Sequence, residues 1–253
     1  MRIYNFVETK RDGEIAEIRL NNTTTNVLNI DVVNSLINAI NDANSSCRAI
    51  IICGGKKFFS NGLDILWALG LNRSSLQEMF ITLNKLILLM LESPIPLVGV
   101  MKGHAIGAGK TILTACDYRI SAGGRVLIGV PEVKLGVPNP YFADQLLRFL
   151  TNDSIASELI YSGELITGEM AASIGIVNEI GDTESVESRA MEKARALSEI
   201  PSLAFAYSKE QRTEVLCARI REKFPSKLEK LLDAWFGDAA QRLLLAAAER
   251  LRK

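Results

Sequence analysis

The sequence predicts an α/β chain. A largely parallel sheet with helical crossovers fills roughly the first 135 residues, and a mainly helical remainder follows. Three observations carry this. Residues 48–53 (RAIIIC) form a short, apolar, β-branched run ending at Gly54-Gly55, as a strand buried on both faces would. Residues 97–101 form a second such run directly after Pro94 and Pro96. Beyond Asn139-Pro140 the pattern is helical, with almost no strand.

In chain order, the first twenty residues alternate (Ile3, Asn5, Val7, then Ile15, Glu17, Arg19) around Asp12-Gly13, which reads as a β-hairpin. A polar loop, NNTTTN, covers residues 21–26, and Asn29 is placed to cap a helix over about 30–43. Residues 75–92 carry Leu76, Met79, Phe80, Leu83, Leu86, Ile87 and Met90 at helical spacing, and Pro94 and Pro96 stop that helix. After the strand at 97–101 comes GHAIGAG and a helix to about 116, then short strands at 118–121 and 126–128. Asn139-Pro140 reads as a cap followed by an N1 proline. The last stretch is amphipathic (Ala239, Leu243, Leu244, Ala247, Leu251), the usual mark of packing.

Composition narrows the function classes. The 253 residues carry 29 Lys+Arg against 29 Asp+Glu, so the basic surplus that a sequence-independent grip on nucleic acid requires is missing. One His and four scattered cysteines (Cys47, Cys53, Cys116, Cys217) offer no C-x-x-C pair, so no metal site is expected and the thiols read as buried and reduced. No apolar run approaches the eighteen or so residues that span a bilayer. No signal core precedes Glu8 and Lys10, and the final LRK is not a peroxisomal address. The expectation is a soluble, cytoplasmic protein without nucleic-acid or membrane partners.

Three glycine-bearing segments stand out: KKFFSNGLDI (56–65), GHAIGAGKTILTACDYRI (103–120) and IGVPEVKLGVPNP (128–140). In the second, Gly107, Ala108 and Gly109 lie where a strand gives way to a helix. N–H groups there lack intrahelical acceptors and favour a phosphate or a developing oxyanion, although close helix–sheet packing selects the same small residues. In the first, Gly62 allows a tight turn that leaves the Leu63 N–H free to face a cleft, while Asp64 suits a cap. The third holds the strongest acid candidate, Glu132, set among Val130, Pro131, Val133 and Leu135. Apolar surroundings raise a carboxyl's proton affinity towards that of a general base, whereas an exposed rim position is the common fate of Glu. His104, the one imidazole, reads as structural, and no Ser-His-Asp set stands out.

In this order and spacing the segments resemble the crotonase (enoyl-CoA hydratase/isomerase) superfamily over most of the chain. FFSNGLDI is similar to its first oxyanion-hole motif and GHAIGAG…CDYRI to its second. The resemblance implies a spiral of ββα units over 1–195 and a C-terminal helical oligomerisation region over 196–253, assembled as a homotrimer or a dimer of trimers. It implies an acyl-CoA thioester as substrate and no separate cofactor, with the thioester oxygen held by the N–H groups of Leu63 and Ala108. Lys56, Lys57, Ser60, Gly62, Asp64 and Ile65 fall where the family meets coenzyme A. Leu66, Trp67, Thr111 and Phe142 fall near the acyl chain. Ala108 stands where the family's triple-glycine loop has its middle glycine. Family hydratases use two glutamates; here the first position is Thr111 and the second is Glu132. That single-glutamate arrangement resembles the Δ3,Δ2-enoyl-CoA isomerases, in which one Glu moves a proton from C2 to C4 in fatty-acid β-oxidation. A hydratase, a thioester hydrolase, a carbon–carbon lyase and a non-catalytic acyl-CoA binder stand as alternatives, since one scaffold hosts many chemistries.

Overall fold

The protein is described here from a computed structural model that covers residues 2–4 and 6–251; Met1, Asn5, Arg252 and Lys253 lie outside the described residues. In chain order the elements are β1 (Arg2–Tyr4), β2 (Val7–Asp12), β3 (Ile15–Leu20), α1 (Ile30–Ser46), β4 (Ala49–Cys53), β5 (Phe58–Ser60), α2 (Ile65–Ala68), α3 (Arg73–Leu91), β6 (Leu97–Met101), β7 (His104–Ile106) and α4 (Ala108–Thr114). There follow β8 (Tyr118–Ala122), β9 (Leu127–Gly129), a 3-10 turn (Pro131–Leu135), α5 (Tyr141–Leu150), α6 (Asp153–Ser162), β10 (Leu165–Thr167), α7 (Gly168–Ser173), β11 (Glu179–Gly181), α8 (Val186–Ser198), α9 (Ser202–Trp235) and α10 (Asp238–Leu251).

Two sheets form the layered core. The larger runs β1-β2-β3-β4-β6-β8-β11, antiparallel up to β3 and parallel from β3 to β11. Every residue of β4 and β6 is buried, as their uninterrupted apolar sequences require. The smaller sheet runs β10-β9-β7-β5, with β5, β7 and β9 parallel. It gathers the ends of all three glycine-bearing segments into one layer, and this places the site.

The helices follow from caps and apolar stripes. Asn29 accepts the Val32 N–H and starts α1, which buries Val32, Val33, Leu36, Ala39, Ile40 and Ala43. Asn72 caps α3 in the same way. By length and composition α3 would also cross a bilayer, but most of its apolar stripe is buried in this chain, as in a core helix of a globular protein. All four cysteines are free and buried, and burial pushes the Cys116 thiol up to about 12.

The structure refines several expectations. Asn139 does not cap α5; the extended Pro140 precedes Tyr141, and the Asn139 amide has no hydrogen-bond partner. The helical remainder contains two short strands, β10 and β11, each recruited to the edge of a sheet that lends its hydrogen bonds. The helix after GHAIGAG ends at Thr114, two residues short of its expected end. The break before the long C-terminal helices falls at Glu199–Pro201, because α8 continues to Ser198.

Candidate active site

The polar loop at 21–26 turns out to be the scaffold of the first segment. Asn26 is buried with a positive φ of 48°, and its Nδ2 donates to the Phe58 and Phe59 carbonyls at 3.3 Å. Ser60 Oγ donates to the Asn26 carbonyl at 2.7 Å and accepts the Gly62 N–H at 3.1 Å. Beyond it, Leu28 bridges the chain through the Gly62 carbonyl (2.8 Å) and the Asp64 N–H (2.9 Å). A parallel bridge of this kind turns the intervening Leu63 N–H to the opposite side, where no acceptor meets it among the described residues.

That side is a cavity of about 320 Å³. Across it lies the second segment. Ala108 is the first residue of α4, so its N–H has no intrahelical acceptor. The two loops are in close approach: a Cβ on Gly62, whose φ is +80°, would stand 2.8 Å from the Ile106 carbonyl and 3.2 Å from the Ala108 nitrogen. Gly62 thus lets the Leu63 and Ala108 N–H groups line one wall together.

Glu132 closes the arrangement from the 3-10 turn after β9. A Cβ on Gly107 would lie 3.1 Å from its Oε1, which places the carboxyl against the start of α4. Its Oε2 is closed off from solvent and has no hydrogen-bond partner. Burial pushes this carboxyl up to about 7, opposed by its own backbone N–H and by the charge of Lys110. Among the residues lining the cavity Glu132 is the one carboxylate. Thr111 also lines it, but its Oγ1 donates to the Gly107 carbonyl at 3.2 Å and so is spent on the helix backbone. A proton-accepting carboxylate therefore shares a mostly apolar cavity with two free N–H donors, which suits proton abstraction next to a carbonyl.

Of the residues singled out in the sequence, Gly62, Leu63, Ile65, Ala108, Thr111, Glu132 and Phe142 line this cavity. Leu66 and Trp67, expected beside an acyl chain, do not: α2 turns Ile65 inwards, leaves Leu66 40% exposed and packs Trp67 on the core. Ser60 is fully buried in the loop scaffold, and Asp64 caps α2 by accepting the Trp67 N–H at 3.1 Å. Lys56 and Lys57 are exposed and lie outside the lining. His104 is structural, its Nδ1 accepting the Leu127 N–H at 3.0 Å.

Sequence reasoning missed the far wall. Phe80 and Leu83 come from α3, Trp235 from α9, and Leu244, Ala247 and Arg250 from α10. Leu244 and Ala247 belong to the amphipathic stripe read above as ordinary packing, so the signal existed without its meaning. Arg250 is the one cation in the lining.

A profile of the enoyl-CoA hydratase/isomerase family matches residues 10–230. The chain belongs to this family. Within the enoyl-CoA hydratase/isomerase family it is 28% identical over 237 residues to a probable enoyl-CoA hydratase of Bacillus subtilis, spanning 92% of this chain and 83% of that one. It is 27% identical over 176 residues to enoyl-CoA delta isomerase 3 of Arabidopsis thaliana, spanning 67% and 74% of the two chains. The crystal structure of human mitochondrial Δ3,Δ2-enoyl-CoA isomerase superposes with a TM-score of 0.93, covering 98% of both chains at 23% identity. The crotonase fold, with its sheet layers and C-terminal helices, is thereby shown.

Proposed function

We propose that this family member isomerises 3-enoyl-CoA thioesters to trans-2-enoyl-CoA. The observation that carries the reading is a single carboxylate, Glu132, in a cavity that also holds the free Leu63 and Ala108 N–H groups. In this reading Glu132 takes a proton from C2, and the C2–H electron pair delocalises onto the thioester oxygen between the two N–H groups. The charge collapses back as the C3=C4 bond moves to C2=C3, and Glu132 returns the proton to C4. One base on one face serves both halves, and no water has to be held. Preorganised donors of this kind are worth about 3–4 kcal/mol each where measured.

Ile65 and Phe142, with Phe80 and Leu83, form the apolar wall for the acyl chain in this reading. Arg250, together with the exposed Lys56 and Lys57, supplies the charges for the coenzyme's phosphates. Exposed Leu203, Tyr207 and Val215 on α9 support self-association as a trimer or a dimer of trimers, which light scattering checks. The relatives include hydratases, so the second reading is hydration of 2-enoyl-CoA; the engaged Thr111 hydroxyl disfavours it.

The test adds protein to a 3-enoyl-CoA and follows the ultraviolet rise of the conjugated product, with 2-enoyl-CoA in a parallel cuvette. A rise in the first without a fall in the second supports isomerisation. A fall in the second would replace it with hydration, and silence in both over several chain lengths would refute both.

A further inference from the structure

Seven side-chain nitrogen or oxygen atoms among the described residues are shut off from solvent without a hydrogen-bond partner, and four of them belong to Lys110, Glu132 and Asn139. A buried polar group without a partner is costly, and a buried charge more so, so each of these groups asks for an account. Lys110 is the most demanding of the three. Only 1% of it is exposed, and its Nζ lies inside the protein with no acceptor.

Its place in the fold ties it to the acid/base. Lys110 is two residues beyond Ala108 on α4, and the Glu132 carboxyl rests against Gly107 at the start of that helix. The other charges around this corner are on the surface side of α5 and the 3-10 turn or come from the C-terminal helices. Asp144, on α5, is held by Arg148 Nε at 3.0 Å and by Gln145 Nε2 at 2.8 Å. Lys134, in the same turn as Glu132, pairs with Glu164. Lys227 of α9 lines a neighbouring cavity with Asn139 and Asp144, and Arg250 of α10 lines the site itself. Of the buried atoms without a partner among the described residues, the two on ionisable groups are the ammonium of Lys110 and Oε2 of Glu132.

We propose that Lys110 is a positioning residue: its ammonium, buried without a partner on the helix against which Glu132 rests, holds that carboxylate ionised for its work in the cavity. This rests on Glu132 being the acid/base. Burial alone would favour the neutral acid, which cannot accept a proton, and a cation in the same dry environment is the counterweight. The directions agree: burial pulls Lys110 down to about 8, opposed by the charges of Glu132 and Asp144, and Lys110 in turn lowers Glu132. Lys110 therefore remains largely charged around neutrality, where the base must work.

The experiment compares wild type with Lys110→Met, which keeps the stem and removes the charge. Two readouts are taken: the pH profile of kcat/KM with a 3-enoyl-CoA, and the substrate-free titration of the Glu132 carboxyl by infrared difference against Glu132→Gln. The expected result is that both midpoints move up by about one pH unit, which lowers kcat/KM about five-fold at pH 7 and restores it near pH 9. A folded Lys110→Met with an unmoved infrared midpoint overturns the proposal. Lys110→Gln provides the same reading if the Met variant does not fold. If wild type turns over no 3-enoyl-CoA, the isomerase reading falls while the infrared midpoint still decides the role of Lys110.

Discussion

Gly107 and Glu132 compete for one small volume. The backbone of Gly107 has φ of +56°, and the space in which a side chain would begin is 3.1 Å from Oε1 of Glu132. The residue that opens α4 is thus kept bare by the carboxylate that rests on it. The structure predicts that Gly107→Ala is both strained and obstructive. It should cost about 1–2 kcal/mol of stability through the positive φ and lower kcat ten-fold or more by displacing the carboxyl. Denaturant unfolding and steady-state kinetics on the purified variant check the two effects separately.

Removing the base while keeping its shape is the most direct perturbation. Glu132→Gln is expected to lower isomerase kcat by about 10³-fold, within the range of general acid–base contributions, with acyl-CoA affinity changed only a few-fold. Calorimetric titration with a saturated acyl-CoA measures the second quantity.

The same carboxyl sets a pH dependence. Its folded-state value of about 7 lies above the ordinary carboxylate range, so the base becomes competent only as pH rises through 7. The free-enzyme profile of kcat/KM should climb with a midpoint near there. Stability runs the other way: the raised value favours folding fully below the unfolded value near 4.5, and that advantage is lost as pH rises through about 7. Glu132→Gln should therefore melt above wild type at pH 8 and near it at pH 4.5, by an amount on the order of 1–3 kcal/mol. Scanning calorimetry at the two pH values decides this.

Thr111 sits in the cavity wall but its hydroxyl serves Gly107. Thr111→Val, close in volume, is expected to leave kcat within about three-fold of wild type, measured in the same ultraviolet assay. A larger loss would show the hydroxyl taking part in the reaction.

Ser60 acts at one remove from the cavity. Ser60→Ala strands the buried Asn26 carbonyl and frees the Gly62 N–H, at a cost of about 1–3 kcal/mol in folding stability. Because that loop aims the Leu63 N–H, kcat should fall more than the affinity for a saturated acyl-CoA.

Much of this molecule was legible in its sequence for identifiable reasons. Uninterrupted apolar runs announced β4 and β6, and Asn29 marked the start of α1 because caps and buried strands are local devices. The near wall of the site was legible too, since Leu63, Ala108 and Glu132 belong to segments with their own glycine signals. The far wall was not. Leu244, Ala247 and Arg250 lie more than a hundred residues downstream of Glu132, on a stripe whose spacing says helix and nothing about what it faces. Lys110 was hidden for a related reason: a lysine in a helix reads as solvated until the packing of α5 on α4 shows it enclosed. Leu66 and Trp67 misled because adjacency to the Leu63 loop does not determine which way a short helix turns its side chains.

The 3-10 turn that carries Glu132 ends at Gly136, where a Cβ would stand 3.0 Å from the Ala240 Cα on α10. The helix that forms the outer wall is thereby fastened at its base to the segment that presents the carboxylate. A larger side chain on either side of that contact would push the outer wall and the carboxylate-bearing turn apart together.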